Sequence, residues 1–199
     1  MTRIKICGLT REQDVHQALE LGADLLGFIH VPRSPRHVPL ERLADLIPNR
    51  DGVRTVVVVQ DADPADLDRL RDRLRFDWFQ FHGAESAETV KRWGGYKVFH
   101  IKDREPAEAE IAPFGEPFLL DTQVGKARGG TGVSFDWTIL ARIRGRCLVA
   151  GGLNPDNVAR LIADHAPWGV DVSSGVEQSP GIKDPHKMAR FFEETRRGS

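Results

Sequence analysis

The chain has 199 residues, 40% hydrophobic and 29% charged, with a formal net charge of −1. That length supports one well-buried core but not two comfortable domains, so a single domain over residues 1–199 is expected. The composition argues against disorder, and the missing basic surplus argues against a nucleic-acid partner.

The first apolar alternation predicts a strand over Arg3–Gly8. The stretch before it turns polar too soon for a signal peptide, and no run anywhere is long enough to span a bilayer, so a cytoplasmic protein with no membrane association is expected. A helix over Arg11–Leu21 follows, with Thr10 in the capping position, then a strand over Leu25–His30, a helix over Pro39–Ile47 and a strand over Arg54–Gln60. In the helix Pro64–Leu74, Leu67, Leu70 and Leu74 share one face. Arg69, Arg71, Arg73 and Arg75 read as a solvated face laced with i,i+4 pairs. The strand Trp78–Gly83, the helix Ser86–Trp93 and the strand Tyr96–Lys102 come next. The fifth unit is weak: Glu105–Gly115 carries Pro106 and Pro113, so its helix is short or replaced by a loop. The strand Pro117–Asp121, the helix Phe135–Arg144, the strand Arg146–Gly151, the helix Pro155–Ala166, the strand Gly169–Ser173 and a helix from Asp184 to Arg196 complete the chain. Asn154-Pro155 and Asp184-Pro185 each place a capping residue before a proline at a helix start.

Eight strands with crossover helices and no composition break point to an α/β protein with a parallel sheet, closed as a (β/α)8 TIM barrel. A doubly wound open sheet is the alternative, but the G-x-G-x-x-G turn that normally follows its first strand is missing. Gly125-Lys126 does not make a P-loop, because Leu120 stands where the first glycine belongs.

A barrel of this kind carries its active site at the C-terminal ends of the strands. Those ends hold Cys7-Gly8, His30, Gln60-Asp61, His82-Gly83, Lys102, Asp121, Gly151-Gly152 and Ser173-Ser174-Gly175. The loops after strands seven and eight are this fold's usual phosphate site, often with a short extra helix, which Gly175–Ser179 could begin. The glycines equally suit plain tight turns. Cys7 ends the first strand, where a thiolate could serve as a base; Cys147 begins the seventh, at the opposite end, and reads as structural. No disulfide framework is expected. Lys5 lies on the same strand face as Cys7 and must point into the barrel, where Asp171 is its candidate partner. Asp121 is either a general acid or a cap for the following loop. His30, His82 and His100 fall near strand ends but show no metal-ligand spacing, so they read as polar lining and no metal site is expected. A thiolate and a carboxylic acid across a phosphate-anchored pocket describe proton shuttling on a sugar phosphate.

Stretches distributed along the whole chain carry a further signal. They are Lys5-Ile-Cys-Gly-Leu-Thr10, Gly22-Ala-Asp-Leu-Leu-Gly-Phe28, Ser34-Pro-Arg36, Gln80-Phe-His-Gly83, Leu119-Leu-Asp-Thr122 and Gly129-Gly-Thr-Gly132 with Phe135-Asp-Trp137. Ala150-Gly-Gly-Leu-Asn-Pro155, Val170-Asp-Val-Ser-Ser-Gly-Val-Glu177 and Pro180-Gly-Ile-Lys-Asp184 complete them. In order and spacing they resemble the phosphoribosylanthranilate isomerases of tryptophan biosynthesis.

The resemblance implies that Cys7 is the general base and Asp121 the general acid. It places Arg36 near the anthranilate carboxylate, His82 on the pocket wall, and Gly151, Gly152, Ser173 and Ser174 around the phosphate of a small-molecule substrate. The implied reaction is an Amadori rearrangement of N-(5-phosphoribosyl)anthranilate to 1-(2-carboxyphenylamino)-1-deoxyribulose 5-phosphate. No cofactor is implied, because the substrate's amino nitrogen supplies the electron sink. His30, Phe81 and the third strand, Thr55-Val-Val-Val-Val-Gln60, depart from the family's usual residues and bear on pocket shape. A barrel isomerase acting on a histidine-pathway aminoaldose would use two aspartates, and a non-catalytic barrel would have lost Cys7 or Asp121; both residues are present.

Overall fold

The structure is a computed structural model that describes residues 1–49, 51–101, 106–121, 137, 140, 143 and 145–199. Eight parallel strands close into a barrel in sequence order: β1 (Arg3–Cys7), β2 (Leu25–Ile29), β3 (Arg54–Val59), β4 (Trp78–Phe81), β5 (Gly95–His100), β6 (Phe118–Asp121), β7 (Cys147–Ala150) and β8 (Gly169–Val172). β8 returns to β1 with Ile4 opposite Val170 and Lys5 opposite Asp171, which closes the sheet without an edge. All eight strands lie within two residues of their expected bounds.

The period of two along each strand divides the core into two layers. Ile4 and Ile6, Leu26 and Phe28, Val57 and Val59, Phe79 and Phe81, and Val170 and Val172 belong to the larger apolar cluster that the helices cover. Leu25, Val56, Tyr96, Val98, Leu119 and Leu148 form a separate cluster inside the barrel. Cys147 falls in the outer layer, so the sequence places it correctly as a packing residue. Burial pushes its thiol up to about 12.

The helices are α1 (Glu12–Leu21), α2 (Leu40–Leu46), α3 (Pro64–Arg73), α4 (Ala87–Trp93), α5 (Glu108–Ile111), α6 (Val158–His165) and α7 (Pro185–Gly198). α5 is four residues long and runs into a 3-10 turn over Ala112–Phe114, as the two prolines of that unit require. The helix expected over Phe135–Arg144 lies outside the described residues apart from Trp137, Leu140 and Ile143.

Three local expectations are corrected. Thr10 is not the cap of α1: Arg11 occupies that position without a side-chain cap, and the Thr10 hydroxyl donates to the Gly181 carbonyl instead. The start of α1 is held by Arg11, which forks onto the buried Asp14 at 3.0 and 2.7 Å. Asn154-Pro155 opens a turn rather than α6, because Asn154 Oδ1 accepts from Asp156 N and α6 begins only at Val158. Asp184 does cap α7, accepting from the amides of His186 and Lys187. Arg71 is not on a solvated face of α3. Its guanidinium donates to the carbonyls of Phe76, Trp93 and Gly94 and lies over Phe76, so it caps the C-terminal end of α4 instead of facing water.

Candidate active site

Strand ends and the loops after them surround a cavity of about 230 Å³. Cys7, Arg36, His82, Asp121, Gly151, Gly152, Ser173 and Ser174 all line it, so the eight residues that the resemblance implies for the site meet in one place. His30 does not belong with them. Its Nδ1 bonds the Val38 carbonyl at 2.9 Å and its ring stacks near His37, 5.1 Å between centroids, beside a different cavity. Lys102 and the Gly129–Gly132 stretch lie outside the described residues.

Cys7 is buried on the inner face at the end of β1, two residues along from Lys5. Its partner across the sheet is Gly27, and a Cβ there would stand 2.8 Å from Cys7 Sγ and 3.0 Å from Lys5 Nζ. Only a glycine in β2 leaves room for both side chains. Lys5 Nζ is 2.8 Å from Asp171 Oδ2. Burial opposes the ammonium charge most strongly, but Asp171 together with Cys7 and Tyr96 outweighs it and holds Lys5 above the usual lysine range. Burial also pushes the Cys7 thiol up, against the pull of the Lys5 and Lys183 ammonium groups. Burial therefore favours the thiol over the thiolate at Cys7.

A network that the sequence reading did not assign ties this base to the phosphate-type loops. Lys183 Nζ donates to the carbonyl of Cys7 at 2.6 Å, to that of Ser173 at 3.1 Å and to Glu177 Oε1 at 3.1 Å. Glu177 also takes a fork from Arg36, Nε to Oε1 at 2.8 Å and Nη2 to Oε2 at 2.6 Å. Burial favours the neutral acid at Glu177, but Arg36 and Lys183 outweigh it and hold its carboxyl below the usual range. Lys183 receives only a share of that carboxylate, so burial lowers its pKa. The strand that carries Lys183 has two residues, too few to show an alternation, so no local pattern marks Lys183 as buried.

The short helix expected from Gly175 is instead a 3-10 turn over Ser174–Val176 leading into a hairpin, β9 (Glu177–Ser179) with β10 (Ile182–Lys183). This hairpin is what turns Glu177 and Lys183 back under the rim. Gly175 lets the two loops meet: a Cβ there would stand 1.8 Å from the Leu153 carbonyl oxygen. Ser173 Oγ is buried with no partner among the described residues.

The opposite wall holds Asp121, directly across the ladder from His100. Asp121 Oδ2 is 3.6 Å from His100 Nδ1 and 3.8 Å from His82 Nε2, and the two imidazoles meet edge to face at 4.7 Å. The hydrogen bond that the imidazole donates to Asp121 raises the His100 pKa; burial, with the charge of His100, lowers that of His82. Ligand atoms of His82, His100 and Asp121 lie within 4.8 Å of one another, the only such convergence among the described residues. Glu85 fixes the loop that carries His82. It accepts from Asp61 N at 2.8 Å, Gly83 N at 3.0 Å and the buried Lys97 Nζ at 2.9 Å.

Comparison with known proteins agrees with this geometry. Residues 4–194 match the family model described as N-(5'phosphoribosyl)anthranilate (PRA) isomerase. The N-(5'-phosphoribosyl)anthranilate isomerase of Thiobacillus denitrificans is 41% identical over 202 residues, covering 98% of each chain. Among solved structures, TrpF from Jonesia denitrificans superposes with a TM-score of 0.84 at 35% identity, covering 98% of this chain and 97% of that one. A phosphoribosyl anthranilate isomerase in complex with reduced 1-(o-carboxyphenylamino)-1-deoxyribulose 5-phosphate gives 0.81 at 29% identity, covering 98% and 99%. The chain belongs to the N-(5'-phosphoribosyl)anthranilate isomerase family.

Proposed function

We propose that Cys7 and Asp121 are the base and the acid with which this chain, an isomerase of N-(5-phosphoribosyl)anthranilate in tryptophan biosynthesis, performs an Amadori rearrangement. The observation that supports the assignment best is their placement: both side chains line one cavity, Cys7 at the end of β1 and Asp121 at the end of β6.

Asp121 protonates the furanose ring oxygen, and the ring opens as the substrate nitrogen's lone pair forms an iminium ion. Cys7 then removes the C2 proton to give the enolamine, which tautomerises to the ketose product. Cys7 must first lose its own proton. Burial opposes that loss, while the ammonium groups of Lys5 and Lys183 favour it.

Arg36 binds the anthranilate carboxylate. Its Nε–Nη2 edge is occupied by Glu177, which leaves the Nη1–Nη2 edge for a second carboxylate. Glu177 thereby orients the guanidinium before substrate arrives. The amides of Gly151, Gly152 and Ser174 and the unpartnered Ser173 hydroxyl hold the phosphate.

The ligand is a phosphorylated small molecule rather than a nucleic acid, consistent with the net charge of −1. No helix among the described residues is long and apolar enough to cross a membrane, and a cytoplasmic site of action fits this chemistry. Turnover of substrate generated from anthranilate and phosphoribosyl pyrophosphate by the preceding transferase tests the activity directly.

A further inference from the structure

A line of polar side chains crosses the barrel interior below the cavity, from the Lys5–Asp171 pair to Asp121. Tyr96 and Gln80 are its middle members. They are neighbours across the β4–β5 ladder, both buried, and Tyr96 OH donates to Gln80 Oε1 at 2.8 Å. Gln80 Nε2 lies 3.5 Å from His82 Nδ1. At the other end, the charge of the buried Lys5 ammonium acts on the Tyr96 phenol.

The direction of each hydrogen in this line follows from its ends. An ammonium has donors and no acceptor, so Lys5 cannot receive the phenol hydrogen. Burial keeps Tyr96 protonated, and its one hydrogen goes to Gln80 Oε1. That fixes the amide, and its NH2 group faces His82. His82 Nδ1 must then accept, which leaves the ring hydrogen of the neutral imidazole on Nε2, the atom nearest Asp121 Oδ2.

We infer that Tyr96 and Gln80 are positioning residues that set the tautomer of His82, so that Nε2–H is presented to the Asp121 carboxyl. This inference rests on the reading of Asp121 as the acid. In this tautomer Nε2 has no lone pair for a metal ion, so the convergence of His82, His100 and Asp121 serves proton chemistry.

The test is nitrogen-15 NMR of the imidazoles in the intact chain at neutral pH, with the His82 signals identified by their loss in His82→Gln. The wild type is expected to show a protonated Nε2 and a bare Nδ1. Tyr96→Phe keeps the ring but removes the donor that orients the amide, so the tautomers mix, and kcat falls roughly fivefold at unchanged KM, the scale of one neutral hydrogen bond. Gln80→Glu offers only acceptors and moves the hydrogen to Nδ1. A wild-type His82 protonated at Nδ1 overturns the inference without any variant. So does Tyr96→Phe with either the tautomer or kcat unchanged. The tautomer is read without turnover, so a failure of Asp121 as the acid, seen as full activity in Asp121→Asn, is a separate result.

Discussion

Lys5 and Asp171 are register partners in β1 and β8, and their charged atoms lie 2.8 Å apart where the two ends of the sheet join. Lys5 is fully buried and Asp171 nearly so, so neither charge is hydrated in the usual sense. Asp171 Oδ1 is buried without a hydrogen-bond partner among the described residues, which makes the carboxylate depend on Lys5. Removing one member of a buried pair leaves the other charge uncompensated, typically about 3–5 kcal/mol. Lys5→Met is therefore expected to lose stability on that scale in urea denaturation, and Lys5→Met with Asp171→Leu to regain most of it. A single variant as stable as the parent contradicts the pairing.

Arg36 is expected to matter to binding more than to folding. A lysine cannot reproduce a fork toward Glu177 and a second toward substrate. Arg36→Lys should raise KM by about tenfold to a hundredfold, the equivalent of one charge-assisted hydrogen bond, with a much smaller change in melting temperature. Steady-state kinetics beside thermal denaturation separates the two; an unchanged KM removes Arg36 from the substrate.

The phosphate assignment rests on the close approach of the β7 and β8 loops at Gly175, where a Cβ would stand 1.8 Å from the Leu153 carbonyl. Gly175→Ala must push the loops apart. Inorganic phosphate is expected to inhibit the parent competitively, and Gly175→Ala should weaken that inhibition by about tenfold or more, the loss of one to two charge-assisted bonds. Ser173→Ala should weaken it less. Equal inhibition constants in all three proteins would move the anion elsewhere.

Much of this was legible in the chain before its coordinates. Strand period and turn chemistry fix the barrel, because inward and outward residues alternate along every strand and a one-residue slip would expose the core. Cys7, Asp121 and the two phosphate-type loops were legible for the same reason: each ends a strand. The hairpin over Glu177–Lys183 was not, because its two and three residues are too short to show a period. Nor was the Arg36–Glu177 pairing, because Arg36 lies in the loop between β2 and α2, where no strand register places its side chain as it places Lys5 and Asp171. His30 lines a pocket, but a different one from Cys7 and Asp121, because a strand-end position says nothing about which way the ring turns and its Nδ1 bonds the Val38 carbonyl.

Alkylation gives the pH dependence. Burial holds the Cys7 thiol above its ordinary value of 9.0, and only the thiolate reacts. Inactivation by iodoacetamide should therefore be slow at neutral pH and rise by about tenfold per pH unit below that raised pKa. A product analogue should protect, and Cys147→Ser should behave as the parent. A rate already independent of pH near 7 would mean that the thiolate is the resting form.

The central claim is the division of labour between Cys7 and Asp121, and kcat for the isomerisation tests it most directly. Parent, Cys7→Ser, Cys7→Ala and Asp121→Asn are compared on N-(5-phosphoribosyl)anthranilate, with solvent exchange at C2 followed in parallel. A general acid or base contributes typically about 10²–10⁴-fold, so each variant should lose kcat on that scale with little change in KM. Cys7→Ser should also lose most of the C2 exchange, while Asp121→Asn should stall at ring opening. Near-parental turnover in Cys7→Ala or in Asp121→Asn would contradict the account and transfer that proton step to another residue of the rim.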